Sequence, residues 1–163
     1  MTYQFRQAEL SDSNQIWEIL KQAIQRRKED GSNQWQDGYP NPDIIQKDID
    51  QNQGFVLTES EDVIGYCAIL INDEPDYERI EGEWLSQEDF VVFHRMAIAK
   101  EQAGKGLGKL MMHHIEQFAL DNDILSVKAD TNHDNPAMKN NFEKSGYTFC
   151  GQVYINGSPR KAF

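Results

Sequence analysis

Three glycines at alternate positions, Gly104, Gly106 and Gly108, stand beside Lys105 and Lys109 in the run IAKEQAGKGLGKLMM. Leu107, Leu110, Met111, His114, Ile115, Phe118 and Ala119 then recur at helical spacing. A helix start leaves its first amide N–H groups without partners and carries partial positive charge. Glycine keeps that backbone bare, so phosphate oxygens can approach it, and the lysines add mobile positive charge. The competing reading is a tight turn with solvating lysines. Glycine within a helix costs about 1 kcal/mol relative to alanine, and three of them tilt the reading toward an anion site.

Two common phosphate templates do not fit. A dinucleotide-binding turn has G-x-G-x-x-G, whereas the spacing here is G-x-G-x-G. The loop of nucleoside triphosphatases has Gly-Lys followed by Ser or Thr, whereas Gly108-Lys109 is followed by Leu110.

The elements that must carry this turn are legible. Tyr3–Gln7 alternates as an edge strand. Ser11 can cap a helix whose apolar face is Ile16, Trp17, Ile19, Leu20, Ala23 and Ile24. A Gly-, Asn- and Pro-containing loop leads to Asn41-Pro42, an N-cap and first-turn proline for a short helix through Ile44, Ile45 and Ile49. Phe55–Thr58 and Val63–Ile71 form a hairpin, and FVVFHRMAIA (Phe90–Ala99) is a strong strand. After the long helix come a strand in ILSVKAD, a helix from Pro136 to Ser145, and a final hairpin across Asn156–Gly157. The expectation is a single domain over 1–163 of the α/β class. The order holds about seven strands and about four helices.

Composition narrows the function classes. With 163 residues, 39% hydrophobic and 26% charged, the chain reads as an ordinary soluble domain. Its formal net charge of −11 argues against nucleic acid or an anionic membrane as partner. No apolar run approaches the roughly 20 residues needed to cross a bilayer, and the N-terminus lacks a secretion signal, so a cytoplasmic location is expected. Cys67 and Cys150 sit in strand-like contexts and read as buried thiols rather than a disulfide. His113, His114 and His133 have no metal-site spacing, and no metal is expected.

The run IAKEQAGKGLGKLM resembles the acetyl-coenzyme A signature of the GNAT superfamily of N-acetyltransferases, in which a strand leads into R/Q-x-x-G-x-G/A and a helix. DTNHDNPAMKNNFEKSGYTFCG is similar to that superfamily's later motif, an asparagine-led helix ending in E-K-x-G-F. The resemblance covers nearly the whole chain and implies a central, mostly antiparallel twisted sheet of about seven strands flanked by about four helices. It implies that the backbone of Met96, Ala97 and Ile98 pairs with the pantetheine arm of acetyl-CoA as an added strand. It also implies that backbone amides from Ala103, Gly104, Lys105, Gly106, Leu107, Gly108 and Lys109 cradle the pyrophosphate. Asn135 would bond the cofactor arm, its alternative role being an N-cap beside Pro136. Two departures stand out. Ala103 occupies the Arg/Gln position, with Gln102 one place early, and Phe142 stands where many relatives carry a tyrosine that protonates the departing thiolate.

Acetyl transfer needs a neutral amine, a polarised thioester carbonyl and an exit for the thiolate. The Met96 amide is the expected carbonyl donor. His94, Glu83 and Glu81 are the base candidates. Strand alternation puts His94 on the face of Met96 and Ile98, and a histidine ordinarily titrates near 6.5. Arg95 points the other way, as a structural residue or the partner of an acid. Trp35, Tyr39 and Trp84 are candidate walls of the acceptor pocket. The acidic stretch from Asp73 to Asp89 suits a cationic acceptor, a polyamine or aminoglycoside, though a peptide amine is also open. The expected function is direct N-acetyl transfer from acetyl-CoA to a primary amine. The alternatives are a coenzyme A-binding sensor without catalysis, a nucleotide-binding regulator, and transfer of a longer acyl group. An exposed C-terminal hairpin is compatible with a homodimer.

Overall fold

A computed structural model describes residues 2–132, 135–155 and 158–163. His133 and the turn expected at Asn156–Gly157 lie outside the described residues. In chain order the first elements are β1 (Tyr3–Gln7), α1 (Ser13–Glu29), α2 (Pro42–Asp50), β2 (Gly54–Glu59), β3 (Asp62–Ile71), β4 (Glu81–Gly82) and β5 (Val91–Ile98). Then follow α3 (Leu107–Asp121), β6 (Val127–Lys128), β7 (Asp130–Thr131), α4 (Pro136–Lys144), β8 (Gly151–Ile155) and β9 (Ser158–Ala162).

The α/β class and mostly antiparallel pairing are as expected. The pairs β1–β2, β2–β3, β4–β8, β7–β9 and β8–β9 are antiparallel, and β5–β6 is parallel. The described strands outnumber the expected seven for two reasons. ILSVKAD changes partner midway: Val127 and Lys128 pair with β5, then Ala129 exchanges backbone bonds with Phe163 and Asp130 pairs with Ala162. β4 has only two residues and carries no alternation to read.

Two compact units divide the chain, Met1–Ile69 with His94–His114, and Leu70–Phe93 with Ile115–Phe163. In the first unit β1, β2 and β3 run side by side, with Phe5 opposite Leu57 and Val56 opposite Tyr66. Ile16, Ile19 and Leu20 bury one face of α1 against Ile45, Val56, Val63 and Tyr66, as the helical spacing requires. Asn41 caps α2 as expected, its Oδ1 accepting the Ile44 N–H at 3.0 Å beside Pro42. Ser11 is not the cap of α1. It lies in a tight turn, Leu10–Asp12, where the buried Asp12 carboxylate accepts the Glu9 N–H at 2.8 Å and both Arg6 terminal nitrogens at 2.8 and 2.9 Å. The Arg6 bond, helped by that N–H, holds the Asp12 carboxyl below its ordinary range despite burial.

His114, also in this unit, stacks on Phe5 at 4.9 Å. Burial, and then His113, push its imidazole below the ordinary histidine range. The unfolded chain therefore takes up this proton first. Its contribution to stability is fully present above about pH 6.5 and is lost as pH falls below that value toward the folded pKa. Replacing His114 with phenylalanine is expected to shrink the difference in urea midpoint between pH 7.5 and pH 5.5. An unchanged difference would show that other groups carry it.

In the second unit β4, β8, β9 and β7 lie in that order in one sheet. Tyr77, Trp84, Val92, Val153 and Ala162 form its core. The acidic stretch is thus anchored from below, with Tyr77 and Trp84 buried, Glu74 and Asp76 half-buried, and its other carboxylates exposed. Gly82 and Gly151 oppose each other across β4–β8 at φ of +143° and +146°. A β-carbon on either would meet partner-strand backbone at 2.2 Å, so only glycine fits the seam. Cys67 and Cys150 are free thiols, with Cys67 buried and burial pushing its pKa well up.

Candidate active site

The glycine turn is built from the strand before it. In β5 the residue Arg95 has φ +55°, a left-handed conformation that a branched or long side chain rarely adopts. Such a residue costs on the order of 1–3 kcal/mol and persists only where its surroundings hold it. A buried ion pair grips this residue at its head. Arg95 donates through Nη2 to Asp48 Oδ1 at 2.7 Å and through Nε to Asp48 Oδ2 at 3.0 Å. Tyr66 donates its hydroxyl to the same Oδ2 at 2.6 Å. The Asp48 side chain is 2% exposed and that of Arg95 7%. Burial disfavours the charge on Arg95, but Tyr39 and Asp48 outweigh it and hold the guanidinium above its ordinary range. Burial, then Asp48, push the Tyr66 phenol far up, so it remains a donor.

Arg95 is therefore the partner of an acid, as its position suggested. Asp48 escaped the sequence reading, although a signal existed. It falls on the helical face of Ile45 and Ile49, where an acid needs a partner to be buried. The left-handed residue also interrupts the pleat between His94 and Met96, so simple alternation does not extend across it.

After Ile98 the chain is held by α1 and β3. Ala99 N–H bonds Ile64 O at 2.8 Å, and Lys100 N–H bonds Gln22 Oε1 at 2.9 Å. A tight turn at Lys100–Gln102 follows, then Ala103, Gly104 and Lys105 at the surface. Gly104 and Gly106 have φ of +81° and +74°, while Gly108 lies within the first turn of α3. The three glycines thus do different work: two reverse the backbone and one keeps the helix start bare. Gly106 O accepts from Leu110 N–H at 3.2 Å, so the helix begins there and the Leu107, Gly108 and Lys109 amides have no acceptor within it. Lys105 Nζ bonds Gln102 Oε1 at 3.0 Å, placing beside the turn the side chain that the motif carries one position later.

Pairing of β5 with β6 is recorded at Val91 and Val92, and Met96, Ala97 and Ile98 lie further along β5. His94 is half-buried. The loop before α2 carries Trp35, half-buried at φ +63°, and Tyr39, 37% exposed, whose hydroxyl accepts from Arg95 Nη1 at 2.5 Å. Gln36 ties this loop to α1 through Ile24 O at 2.9 Å.

In the second unit Glu81 and Glu83 are exposed on and beside β4. Tyr154 O–H donates to Glu81 Oε2 at 3.4 Å and accepts from Gln152 Nε2 at 2.7 Å. The Glu83 N–H bonds Cys150 O at 3.0 Å. Trp84 is buried, with its indole N–H on Tyr77 O at 2.9 Å and the Lys128 ammonium 4.7 Å from its ring. Asn135 caps α4 through Met138 N–H at 3.3 Å. Phe142 is fully buried against Phe93, Tyr147 and Phe163. Tyr147 is mostly buried, which raises its phenol pKa far above the ordinary range, with Glu116 adding to the rise. Among the described residues no group of His, Cys, Asp and Glu is arranged to hold a metal, and no helix is long and apolar enough to cross a membrane.

Comparison with known proteins decides the family. A model of the acetyltransferase (GNAT) family matches residues 16–147. The chain belongs to the GNAT acetyltransferase family. An acetyltransferase of the GNAT family from Streptococcus agalactiae superposes with a TM-score of 0.89 at 30% identity, covering 98% of this chain and 92% of that one. An uncharacterised N-acetyltransferase of Bacillus subtilis, YesJ, is 24% identical over 142 residues, 86% of this GNAT chain and 78% of its own. The fold is shared with yncA of Salmonella typhimurium, a putative acetyltransferase solved with its cofactor acetyl-CoA. The TM-score there is 0.69 at 18% identity, over 100% of this chain and 94% of that one. Both motifs on which the sequence resemblance rests fall largely within the matched span.

Proposed function

We propose that this GNAT protein transfers acetyl from acetyl-CoA to a primary amine by direct attack. The observation that carries the reading is continuous in the chain: a β-strand with a left-handed residue runs into a two-glycine reversal at the start of a long helix. An extended arm bonds backbone of the Met96–Ile98 segment, and pyrophosphate oxygens take amides between Ala103 and Lys109. The acetyl-CoA held by a fold neighbour supports this assignment. Asn135 is assigned to the arm in addition to its cap. A family match from 16 to 147 supports treating both units as parts of one acetyltransferase domain.

In the reaction the neutral amine nitrogen attacks the thioester carbonyl carbon. A C–N bond forms, the C–S bond breaks, and the thiolate leaves with the electron pair. The Met96 N–H stabilises the carbonyl oxygen as it gains charge. His94 takes the proton that the amine loses, with Glu83 and Glu81 as the other candidates. A thiol is acidic enough to leave near neutral pH without a strong acid. With Phe142 apolar and the Tyr147 proton tightly held, water or the exposed Tyr154 protonates the thiolate. Trp35 and Tyr39 are assigned to the acceptor side, and the buried Trp84 instead anchors the segment that carries Glu81 and Glu83. The exposed carboxylates of the Asp73–Asp89 stretch favour a cationic acceptor.

One observation favours a second reading, a coenzyme A-binding sensor: the family's tyrosine position is filled by a fully buried phenylalanine. The purified chain with acetyl-CoA, assayed for thiol release across polyamines, aminoglycosides and peptide amines, separates the two. Saturable, amine-dependent release is expected. Tight acetyl-CoA binding without turnover on any amine would favour the sensor.

A further inference from the structure

The buried network around Arg95 has a role that packing alone does not require. A regular strand residue would need no clamp, and a buried ion pair is a poor source of stability compared with apolar residues of equal volume. This one holds a residue whose backbone is strained, and the next amide along is that of Met96. The direction of an N–H is set by the torsions of the residue before it, so whatever fixes Arg95 aims Met96. Arg95 is fixed at its head by two bonds to one carboxylate, and that carboxylate is fixed in turn by Tyr66. A planar guanidinium gripped at two points has little freedom to rotate.

We propose that Asp48, through Arg95, is a positioning residue for acyl transfer: it locks the left-handed turn of β5 that directs the Met96 N–H at the acyl carbonyl. The inference rests on the acetyl-CoA reading above. It separates two parts of the same binding site. The glycine turn recognises the pyrophosphate, which coenzyme A and its acylated forms share. The clamped residue recognises the carbonyl, which only the acylated forms carry. Asp48 itself touches neither.

The test compares equilibrium binding of coenzyme A with that of its S-acetonyl thioether, a stable ketone in place of the thioester. The full chain is used with Asp48→Asn and, as a control, Asp12→Asn, which neutralises the other buried acid paired to arginine in the same unit. The native chain is expected to prefer the ketone by about fivefold, the worth of one net hydrogen bond. Asp48→Asn is expected to bind coenzyme A within about twofold of the native chain while losing that preference, and Asp12→Asn is expected to keep it, if one hydrogen bond is what differs. Because Asp48→Asn leaves a buried cation, Asp48→Leu/Arg95→Leu provides a second route. It removes both charges together and places at position 95 a side chain that disfavours positive φ.

Retention of the ketone preference in either folded variant overturns the proposal. So does a native chain that binds both ligands equally, or an Asp12→Asn that loses the preference as fully as Asp48→Asn. A native chain that binds neither ligand instead overturns the acetyl-CoA reading, and the proposal with it.

Discussion

Asp48→Ala is expected to lose about 3–5 kcal/mol of stability, the usual cost of leaving one partner of a buried ion pair without the other. For a chain of this size that lowers the melting midpoint by roughly 6–20 °C. The effect should far exceed that of removing an exposed pair such as Lys21–Glu18, the median worth of such pairs being at most about 1 kcal/mol. Asp48 meets three donor atoms while almost wholly out of water, and alanine leaves the guanidinium and the Tyr66 hydroxyl facing a void. Thermal unfolding followed by circular dichroism measures the loss. A shift below about 2 °C would mean that water reaches Arg95 and replaces the carboxylate.

The second large effect falls on binding. Gly106→Val is expected to weaken coenzyme A affinity about a hundredfold, with a much smaller change in melting temperature. Nothing lies within 4 Å of a β-carbon at this position, so the substitution meets no clash in the fold. Its damage is conformational. A β-branched residue resists φ of +74°, and relaxing that angle turns the helix-start amides away from the ligand. Hydrogen bonds to charged groups are worth about 1.5–3 kcal/mol each, so misaiming one or two gives the stated loss. Calorimetric titration with coenzyme A measures it. Native affinity in Gly106→Val would place the anion elsewhere than on this turn.

The sequence made the glycine turn legible because three alternate glycines beside a helical pattern are costly unless bare backbone is needed. The Asn41-Pro42 cap and the apolar face of α1 were legible for similar local reasons. Gly104, Gly106 and Gly108 looked equivalent, since composition does not reveal which residues hold positive φ. The left-handed Arg95 lay beyond reach as well. Nothing in FHRMA departs from strand propensity, and the buried partner of Arg95, Asp48, lies 47 positions earlier. ILSVKAD read as one strand because a change of partner at Ala129 leaves the apolar pattern intact. That the acidic stretch is anchored by two buried aromatics, Tyr77 and Trp84, was hidden by the density of charge around them.

The meeting of Gly82 and Gly151 bears on how this protein can diversify. Surface positions usually drift freely, yet here an exposed residue is closed to every side chain by the strand it touches. The two carboxylates on either side of Gly82 are thus carried on a seam that heredity can scarcely edit. Substitution here would keep the seam and exchange Glu81, Glu83 and their surface neighbours. Variation along this seam is written in side chains over a backbone that stays the same.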